Sequence, residues 1–293
     1  MSRKRKLQVG MLNIVTHPHS PEDYVKLLER GLHVDVPMGG DRRARIGTLS
    51  AIGADPLDGI QGNIYRYTKI DMNSPWLNTE SGKEVDPLNI HELVDIPDNL
   101  RPNLSTIWYN FYPRSHRLVF ETERNDPHTG KPVSFSPSTA QLFFQKVFNT
   151  LKTDFDTIRV TVVQDHETLE TIFSLPYLRK LEIKIERPNP TDGRFAQMMA
   201  RQLEKENVHD FEQIMVSKSA DGLKPTKRTK GVAKVATTDG YVYAEGNDEE
   251  GEKVTLKTTL KPVEARRYFD GNEGFLAAFF KAASSLLQTY KAK

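Results

Sequence analysis

Between Lys218 and Lys234 the chain carries Lys218, Lys224, Lys227, Arg228, Lys230 and Lys234 against one acid, Asp221, a local charge of +5. This is the composition that phosphate chemistry asks for. Several cations within reach of one nucleic-acid backbone release its condensed counterions on binding. The interleaved Pro225, Thr226, Thr229 and Gly231 predict a loop whose amides and hydroxyls add further phosphate contacts. A second use of the same charges stays open. Glu245, Asp248, Glu249, Glu250 and Glu252 follow closely and could fold back on the lysines, in pairs that are individually weak. Arg194 and Arg201 stand seven residues apart, on one face of a predicted helix, with Arg187 before it and Lys205 near its end. They extend the basic surface, although an ordinary polar helix face has the same spacing. The cluster Asp41-Arg42-Arg43-Ala-Arg45 and the tail Arg3 to Lys6 are less specific candidates of the same kind.

Other spacings carry other chemistries. Asp165 ends a predicted strand, and Glu182-Ile-Lys184 lies in the next one. That acid followed by E-x-K has the form of a metal-dependent nuclease, with carboxylates holding a divalent ion and the lysine steadying the attacking water. Plain strand alternation explains it without any chemistry. His17-Pro-His19 with Glu22 and Asp23 has two imidazoles at alternate positions, which a metal could use if a third ligand were near. The same residues read as a strand exit and helix entry. Trp108, Tyr109, Phe111 and Tyr112 could stack bases, or half of them could fill a core. Glycine-rich phosphate loops, G-x-S-x-G elbows and H-E-x-x-H pairs are missing, so no cofactor is expected.

The 293 residues contain no cysteine, which removes disulfides, thiolate metal sites and cysteine nucleophiles and suits a reducing compartment. With 41 basic against 39 acidic residues the net charge is only +2, so local distribution, not overall charge, must attract a polyanion. No window approaches the roughly 20 apolar residues of a membrane span, and the basic start is followed by an alternating strand, not a leader's apolar run. A cytoplasmic protein without membrane insertion is the expectation.

Leu7 to Val15 predicts a strand, and Ser20-Pro-Glu-Asp23 caps a helix running to about Gly31. Strands over Arg45–Ile52 and Gly59–Ile70 should pair, residues 71 to 104 read as a long loop, and Ser105–Tyr112 with His116–Glu123 form the clearest hairpin. A helix follows from Pro137 to Leu151, with Leu142, Phe143, Val147 and Phe148 at helical spacing. Then come strand Thr157–Val163, helix Glu167–Phe173, strand Lys180–Glu186, helix Thr191–Glu206, strand Phe211–Ser217, the basic segment, strands Val232–Ala236, Gly240–Glu245 and Lys253–Leu260, and helix Gly274–Tyr290. The expected class is α+β, with mixed or antiparallel sheets and packed helices in two subdomains, 1–153 and 154–293.

The runs Gly10-Met-Leu-Asn13, His17-Pro-His-Ser-Pro-Glu22, Asp55-Pro-Leu-Asp-Gly59, Gly62-Asn-Ile-Tyr65 and Ile96-Pro-Asp-Asn-Leu-Arg-Pro-Asn103 give most of the chain a resemblance. It resembles an uncharacterised bacterial family found among phage-defence and mobile-element genes. The second half is similar, in its order of elements, to the RexA-type DNA-binding exclusion proteins of lambdoid phages and the related KwaB defence proteins. The elements are strand Lys184-Ile-Glu-Arg-Pro188, a helix, the strand through Ile214, a basic stretch, Val254-Thr-Leu-Lys257 and a terminal helix. That likeness implies sequence-nonspecific binding of duplex DNA, as a homodimer, in an anti-phage role, and assigns no role to any single residue.

Three expectations follow. The first is a DNA-binding defence or exclusion protein acting through Lys218, Lys224, Lys227, Arg228, Lys230 and Lys234, aided by Arg194 and Arg201. The second is a metal-dependent nuclease using Asp165, Glu182 and Lys184. The third is an interaction subunit of a defence complex, with a partner protein or second copy seated on Phe275, Leu276, Phe279, Phe280, Leu286 and Leu287 of the last helix.

Overall fold

The computed structural model describes residues 5–17, 20–86, 89–90, 93–94, 96–97, 99–126, 130, 132–151, 155, 157–186, 188, 190, 193–270 and 272–292. The α+β class holds: six helices among the described residues pack on antiparallel sheets. Strand β1 (Arg5–His17) is the spine. Along one side it pairs with β8 (Arg117–Asn125). Along the other, its first half pairs with β15 (Glu264–Phe269) and its second half with β10 (Thr157–Val162). The larger sheet continues from β8 through β7 (Ser105–Tyr112), β4 (Ile60–Thr68) and β3 (Arg42–Ala51) to β2 (Asp35–Gly39), with β9 (Pro132–Ser134) on the flank of β8.

Both faces of this sheet are covered at β1, β8 and β7, so these strands cannot alternate simply between apolar and polar. Ile107, Tyr109 and Phe111 of β7, Leu118 and Phe120 of β8 and Leu12 and Ile14 of β1 meet helices α1 (Pro21–Gly31) and α2 (Pro137–Thr150). Ser20 caps α1 by accepting from the Asp23 amide, and Ser136 caps α2 through Thr139, each followed by proline at the first helical position. The residues between them, Leu7, Val9 and Met11 of β1 and Val119 of β8, bury against α6 (Phe275–Ala292).

Two expectations fail on this packing. The aromatic strand β7 is no stacking platform, because Tyr109 and Phe111 are buried under α1 and α2 while Trp108 and Tyr112 pack toward α6. The apolar face of α6 is likewise no free seam: Phe279, Leu286 and Leu287 are buried against β1 within the chain, although Leu276 stays exposed. On α2, Leu142 is exposed and Phe144 takes the inward position in its place. The stretch 71 to 104 holds a small hairpin, β5 (Trp76–Asn78) with β6 (Lys83–Val85).

The four-stranded sheet is an insertion into the larger one. After β10 the chain leaves at Val163 and returns at Val263, whose amide donates to the Val163 carbonyl. A bridge between Gln164 and Pro262, and the bond from the Asp165 amide to the Lys261 carbonyl, close the neck. Between them lie α3 (His166–Ser174), β11 (Tyr177–Glu186), α4 (Arg194–Lys205), β12 (Asp210–Val216), α5 (Lys227–Asp239), β13 (Gly240–Asn247) and β14 (Lys253–Lys257), with sheet order β12-β11-β13-β14. The expected division at 153/154 falls on residues outside the described ones. One face of this sheet, Leu181, Ile183 and Ile185 with Val242 and Ala244, packs on Ala196 and Met199 of α4, Val232, Ala233 and Ala236 of α5 and Leu169 and Ile172 of α3.

Candidate nucleic-acid interface

The basic segment is not the loop its prolines and glycines predict. Thr226 caps a helix: its hydroxyl accepts from the Thr229 amide, and α5 runs from Lys227 through the stretch expected to be a strand. Val232, Ala233, Val235 and Ala236 turn inward, which leaves Lys227, Lys230 and Lys234, at i, i+3 and i+7, on the outward stripe. Arg228 stands beside them. Lys218 and Lys224 lie on the connection leading in, and all six cations are exposed. Three of them crowd the first turn, where the helix dipole is already positive. Intrahelical electrostatics oppose that placement, while an external anion would relieve it.

Helix α4 lies alongside. A methyl group at Gly231 of α5 would sit 2.5 Å from the Phe195 ring of α4, so the glycine is what lets the two helices approach this closely. Ala196, Met199 and Leu203 face the core, and Arg194, Arg201 and Lys205 therefore occupy the opposite side of α4, exposed. Met198 stands exposed among them. Across α5, Lys230 Nζ rests 5.2 Å from the centre of the Phe173 ring of α3. Of the expected residues, Lys227, Arg228, Lys230 and Lys234 with Arg194 and Arg201 thus belong to one helical layer, while Lys218 and Lys224 lie on the connection into it; Arg187 lies outside the described residues.

The acidic rival does not claim Lys218, Lys224, Lys227, Arg228 or Lys230. Glu245 accepts from Tyr243 Oη at 2.8 Å and pairs with Lys253 at 3.4 Å, and Asp248 Oδ1 accepts from the Glu252 amide within the hairpin tip. Among the described residues no ion pair joins Glu245, Asp248, Glu249, Glu250 or Glu252 to Lys218, Lys224, Lys227, Arg228 or Lys230. Lys224 Nζ stands 4.0 Å from Asp221 Oδ2, with both side chains largely in solvent.

The residues of the nuclease pattern are placed apart in role. Asp165 is the cap of α3, accepting from the Glu167 amide. Glu182 projects from the uncovered face of β11, where Tyr241 Oη donates to it at 2.7 Å and Lys180 Nζ at 3.1 Å. Those two donors hold its carboxyl below the usual range, and the same bond pushes the Tyr241 phenol up to about 12. Lys184 pairs with Glu186 at 3.1 Å. Among the described residues no group of three or more His, Asp or Glu could hold a metal ion. His17 ends β1 in a cleft with Arg159, Glu186, His209 and Asp239, while His19 lies outside the described residues.

Sequence reasoning missed the polar core joining the two sheets. Buried Asn13 donates to Asp239 Oδ1 at 2.8 Å at the end of α5 and accepts from Arg117. Arg117 in turn lies over the Tyr290 ring of α6, whose hydroxyl meets Thr238 at 2.9 Å. A signal was present in Asn13 and Arg117, polar residues within otherwise apolar strands, but their partners lie more than a hundred residues away.

No helix among the described residues is long and apolar enough to cross a membrane. A comparison with curated proteins gives no match. Residues 5–284, nearly the whole chain, match the family described as a domain of unknown function, DUF4747, and the chain belongs to that family.

Proposed function

We propose that this protein binds nucleic acid, duplex DNA first, without sequence preference, through the outer stripes of α4 and α5. The observation that carries the reading is the side-by-side display of Arg194, Arg201 and Lys205 with Lys227, Lys230 and Lys234, flanked by Arg228, Lys218 and Lys224. Lysines act on phosphates as point charges, and phosphate contacts position a duplex without reporting its sequence. The binding needs no cofactor. Because the protein's net charge is only +2, attraction depends on this face alone. The anti-phage role of the binding is the part of the proposal that rests on likeness to RexA- and KwaB-type proteins.

The test is a binding panel of duplex DNA, single-stranded DNA and RNA, with and without magnesium, on the whole chain and on a variant with Lys224, Lys227, Arg228, Lys230 and Lys234 changed to alanine. Binding to duplexes of unrelated sequence with similar affinity, lost in the variant, is expected. Equal affinity of the variant would overturn the assignment of the face, and magnesium-dependent cleavage would overturn cofactor-free binding. Phage plating with and without expression tests the role separately, and unchanged plaque counts would remove it.

A further inference from the structure

Strand β12 is the edge of the four-stranded sheet, and it has neither the bulge nor the proline nor the lysine that commonly protect an edge. It runs seven residues, Asp-Phe-Glu-Gln-Ile-Met-Val, without proline or lysine, and pairs continuously with β11. Ser217, just beyond it, donates its amide to the Arg179 carbonyl of β11. Hydrogen-bonding sides alternate along an antiparallel strand, so the odd-numbered residues bond β11. Asp210, Glu212, Ile214 and Val216 therefore turn their amides and carbonyls to the open edge. Their side chains share the uncovered face of the sheet, opposite Phe211 and Met215, which pack inward. Ile214 is 54% exposed and Val216 65% exposed.

We propose that this edge pairs antiparallel with β12 of a second copy, joining two four-stranded sheets into one of eight strands. Charge selects the register. Pairing Glu212 with Glu212 of the partner would oppose like charges directly, which destabilises a sheet. Centring the two-fold on Ile214 instead sets Ile214 opposite Ile214, Glu212 opposite Val216, and Asp210 opposite Lys218. The centre of the joint is then apolar, with Ile214 and Val216 diagonal neighbours across it, and an acid meets a base at each end. The required hydrogen-bonded pairs fall on residues whose backbone groups already face the edge. Centring on Gln213 also matches the backbone but leaves Asp210 and Glu212 facing Val216 and Ile214.

A two-fold that pairs antiparallel strands in one sheet runs normal to it, so both copies keep their helices on the same side. Helix α4 connects β11 to β12, and α3 lies toward β14 at the far edge. The two α4 helices consequently adjoin across the joint, and the exposed cations of Arg194, Arg201 and Lys205 continue from one copy into the next. The pairing itself does not rest on nucleic-acid binding and is measured without it.

Sedimentation velocity on the full chain over a concentration series should show a monomer–dimer equilibrium. Ile214→Lys should leave it monomeric with its circular dichroism unchanged, since that side chain is exposed. The absence of native cysteine makes a second readout clean: Ile214→Cys should form an intermolecular disulfide under mild oxidation, the paired Cα atoms standing about 5.5 Å apart, whereas Leu77→Cys, exposed on the β5–β6 hairpin, should not. A monomer at every concentration would overturn the proposal. So would a dimer that survives Ile214→Lys with no cross-link from Ile214→Cys.

Discussion

The two sheets treat their charges in opposite ways. The larger sheet is covered on both faces at its centre, and the ionic groups there have partners: Arg117 has Asn13 and the Tyr290 ring, Arg124 has Glu121 and the Phe275 ring. The inserted sheet is covered on one face only. Apart from Asp239 at the end of α5, the charges named on it stand on the outer side of the helices or on the uncovered strand face, where Lys257 Nζ lies 4.5 Å from the Tyr241 ring centre and Lys180 Nζ 5.1 Å from that of Tyr243. The larger sheet joins the insertion through a closed neck and the Asn13–Asp239 bond, and the insertion displays the exposed cations on its helices.

That contrast is broken most sharply by paired truncations. Met11→Ala, on the α6 side of the larger sheet, should cost about 2–5 kcal/mol, because a buried side chain leaves a cavity there. Ile214→Ala, on the uncovered face of the smaller sheet, should change monomer stability by no more than about 0.5 kcal/mol. Urea unfolding at low protein concentration measures both, and similar costs would mean that something covers that face in the monomer.

Next in size is a pH effect confined to the larger sheet. Burial pushes the Glu121 carboxyl up to about 7, opposed by Arg124 and by the Trp108 amide that donates to it at 3.2 Å. Arg124 Nε stands 3.0 Å from Glu121 Oε1, close enough for attraction yet off the hydrogen-bonding direction. A carboxyl whose folded value is raised holds its proton while the unfolded chain releases it. Its contribution is therefore favourable at low pH and is lost as pH rises from about 4.5 to about 7. Glu121→Gln should flatten that decline and stabilise the protein at pH 8 by on the order of 2–3 kcal/mol. An unchanged stability–pH profile would show the carboxyl to be better solvated than its burial indicates.

The smallest effect sharpens the account of the insertion. Thr226→Ala removes the cap of α5 and should cost about 1 kcal/mol, with a modest loss of DNA affinity as the first turn frays. Amide exchange should locate the loss at Lys227 to Lys230. Uniform destabilisation of the whole insertion would instead make α5 inseparable from its core.

Elements with strong local signals were legible: both Ser-Pro helix starts, the β7–β8 hairpin and the β3–β4 pair stand where spacing puts them. The basic segment was misread in form, because Pro225, Gly231 and two threonines signal a loop. Here Pro225 precedes the cap, Thr226 is the cap, and Gly231 answers a neighbouring helix, a tertiary reason that no local window contains. Strand β15 went unseen for a similar cause, since Glu264 to Phe269 acquires an inner face only by pairing with β1. The cations themselves were legible by type, and their exposure, and the separation of Lys218, Lys224, Lys227, Arg228 and Lys230 from the acidic hairpin, needed the fold.

The central claim is tested most directly by the salt dependence of binding to a duplex of arbitrary sequence, compared between the natural chain and the variant lacking Lys224, Lys227, Arg228, Lys230 and Lys234. Each phosphate contact contributes about 0.9 to the slope of log affinity against log salt. The account predicts a steep slope for the natural chain and one shallower by about 4–5 in the variant. A shallow slope in the natural chain, or the same slope in both, would contradict it.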